Sequence, residues 1–127
     1  MEPVAVVIAL ALFQYVVFAM LVGWARGKYG VKAPAVTGHE IFERYFRVHQ
    51  NTLELLVAFV PAIWLFGMYV DPTWAALLGL VYLVARVLYL RGYVTDPAKR
   101  EVGFALSVLP VFVLLAGALW GAGRRLM

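Results

Sequence analysis

VAVVIALALFQYVVFAMLVGWA, residues 4–25, is an apolar run broken only by Gln14. A helix rises about 1.5 Å per residue, so about 20 apolar residues cross the roughly 30 Å hydrocarbon core of a bilayer. The segment reads as a membrane-crossing helix, and it sets the solvent for the rest of the chain. An export signal would carry a basic segment ahead of its apolar run, whereas only Met1, Glu2 and Pro3 precede this one. The run is therefore taken as a mature helix.

Composition points the same way. Of 127 residues, 65% are hydrophobic and 14% charged, against about 45–50% and about 25% in soluble domains. Such an excess of apolar surface needs lipid around it. A chain of this length holds one helical bundle, so residues 1–127 are taken as a single domain. The sequence has no cysteine, which removes disulfides, thiolate metal sites and a protein thiol nucleophile.

Three more spans follow. GKYGVKAPAVTGH, residues 27–39, gathers three glycines, one proline and two lysines without a period, which is loop chemistry. A second helix starts near His39 and runs past Leu65; its first half (HEIFERYFRVHQNTLE) is polar and its second (LLVAFVPAIWLFGMY) suits lipid. Pro61 is tolerable there where neighbours satisfy the freed backbone group. Asp71 and Pro72 make a tight turn, and residues 73–93 give a third helix with Arg86 inside it and Gly92 suited to its stop. Asp96 reads as an N-cap and Pro97 as the first helical position ahead of a fourth span, residues 102–121. Short connections make sequential helices antiparallel neighbours. The expected fold is all-α, an integral membrane four-helix bundle of up-down topology.

Orientation follows from Lys and Arg, which concentrate in cytoplasmic connections. Arg26, Lys28, Lys32, Arg44 and Arg47 surround the first connection, Arg91, Lys99 and Arg100 the third, and the middle turn has none. The first and third connections are placed in the cytoplasm and both termini outside, with Arg124 and Arg125 pulling weakly the other way. The net charge of +4 suits this topology and anionic lipid headgroups. No basic stripe is interleaved with stacking aromatics, so nucleic-acid binding is not expected.

The informative residues are charges placed where lipid would be. Arg47, Asn51 and Glu54, spaced i, i+4 and i+7, fall on one face of the second helix; Arg86, Tyr89 and Tyr93, spaced i, i+3 and i+7, do so on the third. A charge at the bilayer centre costs about 2.5–3.5 kcal/mol on insertion scales, so such side chains face a bundle interior or a wet cavity. Two readings stay open. Glu54 and Arg86 can form a structural ion pair that locks the two helices. Alternatively, both stripes line one cavity, open to the cytoplasm, for a zwitterionic or polyanionic ligand. His39 reads as an interfacial loop residue and His49 as a hydrogen-bonding group at the site edge; without Cys or a second carboxylate at ligand spacing, no metal site is expected. Trp24, Tyr29, Trp74 and Tyr82 read as interfacial or packing aromatics, and Gly117, Gly121 and Gly123 as close helix contacts.

ERYFRVHQNTLE, residues 43–54, resembles the R-x-x-x-N-x-x-E signature of the MAPEG family, the membrane-associated proteins in eicosanoid and glutathione metabolism. Its RVH-x-N form is similar to the family's prostaglandin E synthase branch. LVYLVARVLYLRGY, residues 80–93, followed by AKREVGFALS, residues 98–107, resembles the third helix and the start of the fourth in the glutathione transferase and leukotriene-C synthase branches. The two blocks cover about half the chain in the family's order, and a match of that extent is far more specific than one short motif.

The resemblance implies a homotrimer with glutathione bound between neighbouring subunits and facing the cytoplasm. Under it, Arg47, Asn51 and Glu54 match glutathione ligands of the second helix, and Tyr89 and Tyr93 match positions lining the same site. Arg86 matches the family's buried third-helix arginine, a ligand support. Arg100 matches the arginine that holds the glutathione sulfur as thiolate, and Arg26 lies near a family arginine in the first connection, where Lys28 competes for the role. Leu55 stands where the leukotriene-C synthase branch has tyrosine, and His49 where it has glutamine, so the contact set differs.

The chemistry fits that reading. Glutathione offers two carboxylates, an ammonium and a thiol, and the residues above supply cationic forks, a carboxylate and a positive group for sulfur. A free thiol has a pKa of about 8.5, and a nearby arginine lowers it. The implied function is a membrane-bound glutathione transferase, with peroxidase chemistry open to the same thiolate. Its lipophilic electrophile would enter from the bilayer beside the first and fourth helices. Two other classes stand beside it. A non-catalytic, lipid-binding scaffold of the same family is opposed by the presence of Arg47, Asn51, Glu54 and Arg100. A small multidrug carrier would centre on a carboxylate in the first helix, where this chain has only Gln14.

Overall fold

The computed structural model describes all 127 residues. They form four helices: α1, Glu2–Tyr29; α2, Glu40–Tyr69; α3, Pro72–Thr95; and α4, Arg100–Gly123. Each is long and apolar enough to cross a membrane, and no strand is present. The burial pattern inverts that of a soluble protein. Phe13, Val57, Phe112 and Leu119 stand 67–77% exposed on the outer faces, while Arg86, Thr52 and Ser107 are fully enclosed. Lipid solvates the first set, and hydrogen bonds within the bundle hold the second.

α2 and α3 each pack on both α1 and α4. Val4 and Val7 from α1, Phe59 and Ile63 from α2, Tyr82 from α3 and Leu114 from α4 meet in one core. The Phe59 and Tyr82 rings stack there with centroids 3.8 Å apart, so Tyr82 is a packing aromatic. Trp24 and Trp74, 50% and 63% exposed near helix ends, point outward instead. Pro61 lies inside α2 without ending it. With 30 residues, α2 is about 45 Å long, more than a hydrocarbon core of about 30 Å requires. Its polar first turns therefore overhang the apolar slab.

Helix ends depart from the sequence expectation in three places, each for a local reason. α1 continues past residue 25 to Tyr29 because nothing opposes helix until Gly30, whose φ of 69° is left-handed and whose N–H returns to the Arg26 carbonyl. Gly92 does not stop α3, which runs on to Thr95 and closes with the Asp96 N–H on the Gly92 carbonyl at 2.9 Å. A Cβ at Gly92 would meet the Lys99 carbonyl oxygen at 2.9 Å, so the glycine lets the third connection fold closely over the helix. α4 starts at Arg100, ahead of residue 102, because a 3-10 turn over Pro97–Lys99 leads into it. Asp96 caps that turn, accepting from the Ala98 N–H at 3.1 Å. Asp71 accepts from the Trp74 N–H at 2.8 Å at the start of α3, as the Asp-Pro turn implied.

α3 and α4 approach each other closely at Gly103. A Cβ there would lie 2.5 Å from both the N and Cα of Tyr89, so only glycine allows the two backbones this approach. Gly117 and Gly121 also sit in close contacts, against the Phe66 ring and the Tyr69 carbonyl, whereas Gly123 faces open space and is not a contact glycine.

Candidate functional site

A polar cavity of about 380 Å³ opens where α2, the end of α3 and the start of α4 converge. α2 contributes Arg47 and Asn51, one turn apart; α3 contributes Tyr89 and Tyr93, also one turn apart; α4 contributes Arg100, Glu101 and Phe104. The i, i+4 spacing of the first two pairs puts both members of each on the cavity side of their helix. The Tyr89 and Tyr93 rings meet edge to face at 5.6 Å. The Arg100 guanidinium stands 5.9 Å from the Tyr93 ring centroid and donates from Nη1 to the Pro97 carbonyl at 2.9 Å. A second polar cavity of about 410 Å³ adjoins the first through Arg47 and Tyr93 and extends past Arg44, Glu43 and His39.

Charge decides what this cavity suits. The only ion pairs in the chain are Met1–Glu2 and Arg44–Glu40, so Arg47 and Arg100 reach the cavity without acid partners. Two exposed guanidiniums, with tyrosine hydroxyls and an amide beside them, give the wall a donor set chemically suited to an anionic or zwitterionic group.

Behind this wall lies Arg86, fully buried in α3. Its Nε donates to Ser107 Oγ at 3.1 Å, and its Nη1 donates to Asn51 Oδ1 at 2.9 Å and to Thr52 Oγ1 at 3.2 Å. The guanidinium also lies 4.3 Å from the Tyr89 ring centroid, and its Nη2 has no partner. The ion pair between Glu54 and Arg86 is therefore not formed. Neutral oxygens from α2 and α4 enclose the guanidinium, and Glu54 is exposed on the outer face of α2. Because Asn51 Oδ1 is occupied by Arg86, the Asn51 NH2 is the group left to donate into the cavity.

Five of the nine residues singled out from the sequence thus share one wall: Arg47, Asn51, Tyr89, Tyr93 and Arg100. Arg86 supports them from behind. The other three lie elsewhere in the single chain. Glu54 continues the Arg47–Asn51 stripe one turn further but does not line the cavity. Arg26 braces the first connection: Nη1 donates to the Ala35 carbonyl at 2.7 Å, and the guanidinium lies 4.8 Å from the Phe42 ring centroid. His49 turns toward α1, where it stacks on Tyr15 at 4.8 Å with neither ring nitrogen hydrogen-bonded. It lies two positions from both Arg47 and Asn51, and helix geometry sends such neighbours to the opposite side. His39 caps α2, its Nδ1 accepting from the Ile41 N–H at 3.1 Å.

Sequence reasoning missed Glu101, Phe104 and Arg44. Phe104 follows Arg100 by four positions, so a helical wheel drawn from Arg100 would have found it, whereas Glu101, one position on, has no such signal. Arg44 donates to the Val94 carbonyl at 2.9 Å and pairs with Glu40 at 2.6 Å, tying α2 to the last turn of α3. Its partners on α3 are the Val94 and Thr95 carbonyls, backbone atoms that leave no mark in the sequence. No group of three His, Cys, Asp or Glu is placed to hold a metal.

Four membrane-compatible helices with a basic, tyrosine-lined cavity at one end define a small membrane-spanning bundle. The MAPEG family model matches residues 4–120, and the chain belongs to that family. It is 53% identical over 115 residues to an uncharacterized protein of Synechocystis, covering 91% of this chain and 84% of the relative. Human microsomal glutathione S-transferase 2 is 44% identical over 116 residues, covering 91% and 79% of the two chains. Bovine leukotriene C4 synthase is 35% identical over 104 residues, covering 82% and 69%.

Proposed function

We propose that this protein is a membrane-bound glutathione transferase that holds the glutathione thiol as thiolate and directs it at lipophilic electrophiles. The observation that carries the reading is the convergence of two unpaired arginines, Arg47 and Arg100, with Asn51, Tyr89 and Tyr93 on one cavity wall. Relatives named for glutathione transfer and leukotriene C4 synthesis support it. In this reading Arg47 takes a glutathione carboxylate, the Asn51 NH2 and the tyrosine hydroxyls orient the tripeptide, and Arg100 faces the sulfur. The positive charge lowers the thiol pKa and raises the thiolate fraction. The sulfur lone pair forms the new bond to the electrophile, the leaving group departs with its electron pair, and the thiol proton goes to solvent. The same thiolate can reduce a hydroperoxide.

The site is completed by a neighbouring copy in a homotrimer. Glu54 is exposed beyond the cavity edge, in position to meet the ammonium of a ligand shared across an interface, and Arg26 sits at the end of α1, from which it can reach a neighbour. The cavity faces the cytoplasm, on the side where basic residues flank the first and third connections. A carrier is disfavoured because the polar residue within the span of α1, Gln14, is engaged with the Leu83 carbonyl at 2.9 Å.

Arg100→Ala tests the mechanism. Glutathione stays bound, but the thiol pKa returns toward about 8.5, leaving roughly 3% thiolate at pH 7. Thiolate absorbance and conjugation rate at neutral pH both fall, and raising the pH restores part of the rate. A wild-type rate and thiolate signal at every pH would reduce Arg100 to a marker of membrane orientation.

A further inference from the structure

Glu101 is the one acid on the wall of the α2–α3–α4 cavity, and the proposed chemistry leaves it without a task. It is exposed and belongs to neither ion pair of the chain, so no cation lies within ion-pair distance of it. In the first turn of α4 a carboxylate is favoured by the helix dipole, which explains why an acid is tolerated there but not what it does to a ligand. Its position says more. Glu101 follows Arg100, the residue assigned to sulfur, and precedes Phe104, the apolar lining of the same cavity, by three positions. Glu101 and Phe104 therefore share a face of α4, and an electrophile reaching the sulfur along the apolar side passes the carboxylate.

We infer that Glu101 sets the charge selectivity for the second substrate: it disfavours electrophiles bearing an anionic group near the reacting carbon and admits neutral or cationic ones. The inference rests on the glutathione reading above. A role as proton acceptor for the thiol is weak, because a carboxylate is a much weaker base than a thiolate. A purely dipolar role would act on α4 and leave substrate preference unchanged.

The test compares chlorodinitrobenzene with its carboxylated analogue chlorodinitrobenzoate as electrophiles, using wild type, Glu101→Gln and Glu101→Leu in neutral detergent, with glutathione affinity measured alongside. For both, the thiolate sulfur bonds to the ring carbon, chloride leaves with the bonding pair and the thiol proton passes to solvent. The ratio of kcat/KM for the benzoate to that for the benzene rises about fivefold in both variants, the size of one like-charge repulsion at about 6–8 Å in a partly hydrated cavity. Added salt raises the wild-type ratio in the same direction. A ratio that stays within about twofold in both variants, with glutathione affinity retained, overturns the inference and leaves the glutathione reading standing. Failure of the wild type to bind glutathione or to conjugate either compound overturns both.

Discussion

Gly103→Ala should disturb the site through the backbone alone, without touching a ligand. A Cβ at this position would lie 2.5 Å from the N and Cα of Tyr89, and neither atom can rotate aside. Ordinary carbon contacts need about 3.5 Å, so α3 and α4 must separate locally by about 1 Å. Overpacking of this kind costs about 1–3 kcal/mol, a drop in Tm on the order of 5–10 °C for a domain of this size. The same movement separates Tyr89 on α3 from Arg100 at the start of α4. A displacement of about 1 Å can cost on the order of 100-fold in rate, so conjugation should fall at least tenfold. The assay is thermal unfolding in mild detergent together with conjugation kinetics. Gly123→Ala, which meets nothing within 4 Å, is the control and should leave both unchanged. A Gly103→Ala protein with wild-type Tm and wild-type turnover would refute the argument that this glycine sets the spacing of the site.

Three further outcomes bear on the same cavity. Arg47→Ala and Glu54→Ala should each weaken glutathione binding about tenfold or more by calorimetry, since each removes a charged partner; unchanged affinity in both would reject the site assignment. Native mass measurement in mild detergent should give a trimer, and an active monomer would reject a site shared between subunits. Arg86→Lys should destabilise the bundle by about 2 kcal/mol or more, because an ammonium cannot reach Ser107, Asn51 and Thr52 from one position; an unchanged unfolding midpoint would contradict that count.

The four spans were legible because lipid leaves a simple signature: long apolar runs separated by Gly, Pro and Asp. The stripes were legible too, since Arg47–Asn51 and Tyr89–Tyr93 follow directly from helical spacing. How two stripes align was not. Periodicity fixes the face of each helix but not the axial offset between helices, so Arg86 could be matched to Glu54 on paper while the fold sets it against Asn51 and Thr52. His49 is a different case. Its spacing from Arg47 and Asn51 places it on another face of α2, so the reading of it as a hydrogen-bonding group at the site edge ran against the helical period. The closeness of Gly103 to Tyr89 had no sequence signal beyond the glycine itself.

The enclosure of Arg86 bears on how the chain assembles. On insertion scales an arginine at mid-span costs about 2.5–3.5 kcal/mol, and α3 by itself offers the guanidinium no carboxylate. The oxygens that receive it lie on α2, which precedes α3 in the chain, and on α4, which follows it. α3 alone in lipid is thus an unfinished span, held in the bilayer by its apolar residues while its charge seeks water or headgroups. Arrival of α4 brings Ser107 and completes the seat. Rotating α3 by a single residue position would turn the guanidinium away from all three oxygens, so the residue acts as a key that accepts one rotational setting of the helix. That setting is also the one that turns Tyr89 and Tyr93 toward the cavity, so a bundle that has seated its buried charge has aligned its site in the same step.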